Sequence, residues 1–191
     1  MIDKTKLLDK LQDNQIQGTI GRVLQSPIQS GTSRIEYNPT LNCLELYGEE
    51  GKMLIDDIPT YITEFTPELL DKDFSSILIG GLGLGIVPFV VQDFCTTVDV
   101  LEINTDVINI NQQLNVLDSK VNVIEGDIFN FQPTKMYDVI IMDIWYKPIS
   151  EEVVELLNNT YFQALNEGGF IYYPINSTSK ETNSTIIKWQ R

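Results

Sequence analysis

An α/β fold on a doubly wound, mostly parallel sheet, preceded by a small antiparallel β-unit, is the architecture this sequence predicts. Three observations predict it. From Ser75 onward, short apolar runs alternate with segments of helical period, the order expected when crossover helices join parallel strands. The run Tyr137–Met142 is almost continuously apolar, as a strand covered on both faces must be. The run Ser76–Ile79 enters a glycine cluster at residues 80, 81, 83 and 85, directly before a helical face.

The elements follow in order. Residues 3–12 predict a short amphipathic helix carrying Leu7, Leu8 and Leu11. Residues 16–56 are broken by Gly18, Gly21, Pro27, Gly31, Pro39, Gly48 and Gly51. Thr19–Leu24, Arg34–Tyr37, Leu41–Tyr47 and Lys52–Ile55 lie between those breaks and read as a small antiparallel β-unit. Residues 60–71 read as helical, with a break or restart at Pro67. Past the glycine cluster, Ile86–Phe94 places Val87, Val90, Val91 and Phe94 on one helix face. Thr97–Leu101 is a strand. Thr105–Leu117 is a helix that Asn104 or Thr105 can cap. Val121–Ile124 is a strand, and Glu151–Leu165 a helix with Gly168 at its expected C-cap. Phe170–Tyr173 is the next strand, and Thr185–Trp189 can supply one more. This divides the chain into an N-terminal helix and β-unit at 1–73 and an α/β domain at 74–191.

Composition narrows the chemistry. The chain has 191 residues and a formal charge of −14, from 13 basic and 27 acidic side chains. No basic stripe offers itself to phosphates, so a nucleic-acid partner is not expected. The acidity suits solubility and would steer a cationic small molecule. There is no histidine, which excludes a histidine base, a histidine metal ligand and a Ser–His–Asp triad. Cys43 and Cys95 have no framework or metal-ligand spacing, so no metal is expected. The opening MIDKTKLLDK lacks an apolar signal region, and no run approaches a membrane span. These features predict a cytoplasmic protein without a membrane partner.

Four segments carry candidate chemistry. In the first, a strand runs into Gly81-x-Gly83-x-Gly85 and a helix follows. Glycines there permit tight turning and close backbone approach to a ligand, and the helix start adds free N–H groups. Ile86-Val87 stands where a P-loop needs Lys-Ser/Thr. Counting from Gly81, Ile86 stands where a dinucleotide fingerprint needs its third glycine. The second is Glu102, ending Val98–Ile103, an acceptor for both ribose hydroxyls of an adenosine. The third is Asp127 with Ile128 after the third core strand, able to hold an adenine amino group and ring or to serve as a turn aspartate. The fourth is Asp143-Ile-Trp-Tyr146, where Asp143 at a strand tip can position or deprotonate a nucleophile.

This ordered set, with Leu165-Asn-Glu-Gly-Gly-Phe170, resembles the class I S-adenosylmethionine (SAM)-dependent methyltransferase fold over about residues 74–175. The glycine form G-x-G-x-G is similar to that of SAM-dependent enzymes. Leu78-Ile79-Gly80-Gly81, the N-terminal β-unit and Asp57, Tyr61 and Glu64 look closest to the spermidine synthase-like branch. The resemblance implies a Rossmann-like domain with a shortened C-terminus, and SAM or decarboxylated SAM as cofactor. It also implies Gly81, Gly83, Gly85, Glu102, Asp127 and Ile128 as cofactor contacts, Asp143 and Tyr146 as catalytic residues, and a homodimer.

Two departures bear on the reaction. An aminopropyltransferase is expected to have a second aspartate where Tyr146 stands. A methyltransferase acting on DNA amines has two prolines between the residues matching Asp143 and Tyr146, and neither is present. Three readings follow: a methyltransferase-like enzyme acting on a small molecule, an aminopropyltransferase using decarboxylated SAM, and a non-catalytic Rossmann-like binding or interaction domain.

Overall fold

The computed structural model describes residues 27–40, 43–49, 51–55, 74–144, 150–173 and 187–191. The expected helices at 3–12 and 60–71, the strand at 19–24, Asp57, Tyr61, Glu64 and Tyr146 lie outside these residues.

The described chain begins with four antiparallel strands in sequential order: β1 (Ile28–Ser30), β2 (Ser33–Asn38), β3 (Cys43–Gly48) and β4 (Gly51–Ile55). Pairing runs Ile28↔Ile35, Ile35↔Leu46 and Leu46↔Leu54. The period of two puts Ile35, Leu44 and Leu46 on the buried face, in the same apolar cluster as the main sheet. The β-unit read from residues 34–37, 41–47 and 52–55 is therefore present. β1 is a short additional strand that carried no alternation of its own.

The core follows as β5 (Ser76–Gly80), α1 (Ile86–Val91), β6 (Thr97–Glu102), α2 (Thr105–Leu114), β7 (Val121–Glu125), β8 (Tyr137–Met142), α3 (Glu151–Tyr161), a 3-10 turn (Phe162–Ala164), β9 (Leu165–Tyr173) and β10 (Ile187–Gln190). The sheet order is β10-β9-β8-β5-β6-β7. β5 pairs in parallel with both β6 and β8, so chain progression reverses direction at β5/β8. Ligands of such sheets bind outside the carboxyl ends at this reversal. β10 is antiparallel to β9.

Alternation sorts each strand onto two faces. Ile77, Ile79, Val98 and Val100 pack toward α1, α2 and the N-terminal sheet. Leu78, Leu101, Ile140 and Met142 pack toward α3, where Val154, Leu157 and Tyr161 cover them. Burying such side chains contributes roughly 1.5–3 kcal/mol each, which is what holds helices this short in place. Among the described residues no helix is long and apolar enough to cross a membrane.

Three boundaries differ from expectation. α1 ends at Val91 rather than Phe94. α2 ends at Leu114 rather than Leu117, because Asn115 takes a left-handed φ of 52° and closes the last turn onto Asn111. Gly168 is not a helix C-cap. α3 ends at Tyr161, and the strand already begins at Leu165. Pairing with β8 steps from Tyr137↔Leu165 to Val139↔Phe170, so the intervening Asn-Glu-Gly-Gly stretch bulges. Gly168 takes the positive φ (77°) of that bulge and donates to the Arg191 carbonyl.

The sheet contains two buried or half-buried carboxylates away from the carboxyl edge. Asp138 accepts from the backbone N–H groups of Ser75 (2.7 Å) and Ser76 (3.0 Å) and from Asn166 Nδ2 (2.7 Å). Asp99, 2% exposed, accepts from Lys135 Nζ (2.9 Å), Asn122 Nδ2 (2.9 Å) and the Tyr137 hydroxyl (2.8 Å). Burial alone would raise both carboxyls, but these hydrogen bonds outweigh it and hold both below the usual carboxylate range. A depressed folded value stabilises the fold above the unfolded value of about 4, and the contribution is lost as pH falls through the folded value. The melting temperature should therefore fall steeply below about pH 4. Asp138→Asn, which removes one titration, should make that acid limb shallower in a thermal-melt pH series. An identical limb in the variant would show that Asp138 does not contribute.

Candidate functional site

All four candidate segments come together at one edge because their strands are parallel and in register. Gly80 lies opposite Leu101 and Met142, and Glu102 lies opposite Glu125. The loop after β5, the tip of β6, the turn after β7 and the tip of β8 therefore share the carboxyl edge, around the β5/β8 reversal.

The glycine loop is held by contacts that leave no space for side chains at two positions, one set by backbone and one by a side chain. Gly81 has φ 94° and donates to the Leu101 carbonyl (2.7 Å). A Cβ there would collide with the backbone oxygen of Asp143. Gly85 has φ 75° and caps α1 with no side-chain hydrogen bond. A Cβ there would strike Asn111 Oδ1. Asn111 on α2 is 3% exposed, and its Nδ2 donates to the carbonyls of Gly83 (3.0 Å) and Val107 (3.0 Å). Sequence reasoning missed this strut. Its one signal is a polar residue interrupting the apolar stripe Val107, Ile110, Leu114.

Glu102 is fixed at both oxygens. Oε2 accepts from the Leu82 N–H (2.9 Å) and Oε1 from the Asn104 N–H (2.8 Å). One carboxylate thus joins the glycine loop to the start of α2. Each oxygen has a further lone pair, so the group can also accept two hydroxyls from a vicinal diol. Asn104 caps α2 by accepting from the Asp106 N–H (2.9 Å), as its position predicted. Between Glu102 and Asn104 stands Ile103, 68% exposed. Sequence reasoning missed this residue too, although an isoleucine directly after the strand-tip acid was the available signal. An apolar side chain displayed beside a fixed carboxylate suits the face of a planar ring.

Asp127 organises its own turn. Oδ1 accepts from the Phe129 N–H (2.9 Å) and Oδ2 from Asn130 Nδ2 (2.7 Å). Ile128 is buried, and its carbonyl accepts from the Tyr161 hydroxyl (2.7 Å), so α3 anchors this turn. Burial, with the Asp127 charge adding to it, raises the Tyr161 phenol and keeps it a donor. Ile128 also lies over Gly80, whose absent side chain leaves it room. Asp143 is half-buried at the tip of β8, its backbone oxygen against Gly81. The structure therefore brings together Gly81, Gly83, Gly85, Glu102, Asp127, Ile128 and Asp143. Tyr146 lies outside the described residues. Among the described residues no group of His, Cys, Asp or Glu is arranged to hold a metal ion. Cys95 is buried and free, and burial pushes its thiol up to about 12, which keeps it inert.

No protein-family model and no curated protein matches the sequence. Solved structures do match by fold. The N-methyltransferase NodS from Bradyrhizobium japonicum WM9 superposes with a TM-score of 0.52 at 19% identity, over 63% of this chain and 71% of its own. The same enzyme in complex with S-adenosyl-L-homocysteine (SAH) gives 0.50 at 18%, over 62% and 63%. An S-adenosylmethionine-dependent methyltransferase from Clostridium acetobutylicum ATCC 824 gives 0.50 at 17%, over 61% and 48%. In the last two, the match spans less than two thirds of the neighbour's own length. The fold is that of the class I methyltransferases, with a small antiparallel sheet added before the core.

Proposed function

We propose that this chain is a SAM-dependent, methyltransferase-like transferase acting on a small molecule. The observation that carries the reading is the Glu102 carboxylate, locked by the N–H groups of Leu82 and Asn104 at the tip of β6, directly beside the glycine loop. A carboxylate held this way is an acceptor for a ribose diol. Ile103 provides exposed apolar surface for adenine, and the Asp127–Ile128 turn lines its edge. α1 also argues for a cofactor without phosphates. It spans only Ile86–Val91, and Pro88 in its first turn has no N–H to offer an anion.

When bound, SAM supplies an electrophilic methyl group on a sulfonium. The chain's own residues would orient it: Glu102 would hold the sugar, and the close Gly81–Asp143 approach shapes the backbone the cofactor would lie against. Asp143, at the tip of β8, is the carboxylate of this reading that would orient an acceptor amine or take its proton. Tyr146 follows three residues later in the sequence, an aromatic of the kind that attracts a cationic centre.

The aminopropyl reading shares this site, with decarboxylated SAM as cofactor. Its resemblance rests on the N-terminal β-unit read from the sequence, and Tyr146 in place of a second aspartate speaks against it. Calorimetry with SAM and decarboxylated SAM separates the two. Glu102→Ala tests the shared site. It removes charge-assisted hydrogen bonds worth roughly 1.5–3 kcal/mol, so SAH affinity should fall by about 10- to 100-fold. Unchanged affinity would dismiss Glu102 as the sugar ligand.

A further inference from the structure

We infer that the N-terminal β-unit is a positioning element for the cofactor site, acting through Asp106 and Asn104 on Glu102. The inference rests on the reading of Glu102 given above and adds a control point far from the cofactor in sequence.

The β1–β2 turn wraps the carboxylate of Asp106, in the first turn of α2. The Ser30 hydroxyl donates to Oδ1 (3.1 Å) and the Thr32 N–H donates to Oδ2 (3.0 Å). Asn109 Nδ2, one turn further along α2, donates to the Ser30 hydroxyl (3.2 Å). Gly31 sits over the carboxylate at φ 50°, where a Cβ would overlap the Asp106 oxygens. The turn is therefore built around this side chain and has no room for another residue at Gly31.

From Asp106 the contacts continue without a gap. Its N–H donates to Asn104 Oδ1 (2.9 Å), the Asn104 N–H donates to Glu102 Oε1 (2.8 Å), and Glu102 Oε2 accepts from Leu82 (2.9 Å). Each link fixes the next: Asp106 sets the first turn of α2, that turn sets the Asn104 cap, and the Asn104 backbone orients one oxygen of Glu102. Glu102 then has its free lone pairs aimed where the diol must sit. Docking of the β1–β2 turn and occupancy of the site stabilise the same arrangement, so each must favour the other.

The test is calorimetric titration of the full chain with SAH, on wild type, Asp106→Ala and Gly31→Ala. Asp106→Ala breaks the relay from the helix side. Gly31→Ala breaks the same contact from the turn side, with no residue of α2 or of the cofactor edge substituted. Both should weaken SAH binding by about 3- to 10-fold. In a Glu102→Ala background the Asp106→Ala effect should vanish, because the relay then has no terminus. A general loss of stability would persist there, and melting curves of all variants report it separately. Conversely, SAH should slow hydrogen exchange at residues 30–33 of the wild type. Unchanged affinity in both variants, or full additivity with Glu102→Ala, overturns the relay while leaving the site reading standing. No SAH binding to wild type overturns the site reading, and this inference falls with it.

Discussion

Gly81→Ala is expected to lower the melting temperature by roughly 6–12 °C and to abolish adenosyl-ligand binding. Two costs combine at this position. A φ of 94° is strained for any residue with a side chain, and a new Cβ would overlap the Asp143 backbone oxygen. Together these amount to roughly 3 kcal/mol, and each kcal/mol moves the midpoint of a chain this size by about 2–4 °C. The overlap cannot relax locally, because it sets the tip of β5 against the tip of β8 at the sheet's reversal point. Gly51 provides the comparison. It has φ 101° and nothing within 4 Å of its hypothetical Cβ, so Gly51→Ala reports backbone strain without a clash. The excess loss in Gly81→Ala measures the β5–β8 approach. Equal melting temperatures for the two variants would show that this approach does not constrain the site.

Asp143→Asn is expected to leave SAH affinity within about threefold and to cut turnover by about 10²-fold or more. The substitution keeps the size of the side chain and the backbone contact with Gly81, so the loop and the sugar ligand stay in place. What disappears is a negative charge and a proton acceptor. The chain contains no histidine, so no imidazole can take over the proton. The assay is SAH release from SAM with a panel of small amines. Unchanged turnover would remove Asp143 from the chemistry. A wild type that binds SAH yet turns over no acceptor in the panel would favour a non-catalytic binding domain.

The parallel sheet was legible because its central strands are buried on both faces and its helices on one, two patterns that differ in period. The Tyr137–Met142 strand is the clearest case, and the structure ends it at those same residues. The candidate edge was legible for the same reason: residues at the ends of parallel strands must come together, so Gly81, Glu102, Asp127 and Asp143 could be grouped without coordinates. Contacts between distant segments were not legible. Nothing in Ser30-Gly31-Thr32 announces that it encloses Asp106, because a turn sequence does not say what lies beneath it. Gly168 misled, since a glycine after an amphipathic run fits a helix cap and a strand bulge equally well. Only the pairing of Leu165 with Tyr137 decides between them. Asn111 was overlooked because one polar residue on an apolar stripe looks like noise until its partner, the Gly83 carbonyl, is in view.

The proposal as a whole turns on an adenosyl cofactor at the carboxyl edge beside Glu102. Calorimetric titration of the wild-type chain with SAM, SAH, methylthioadenosine and NAD tests it most directly. Saturable one-to-one binding of SAM or SAH, with no heat from NAD, is the expected result. Binding of NAD in preference to every sulfur-bearing adenosyl ligand, or no binding of any adenosyl ligand to the folded chain, would contradict it.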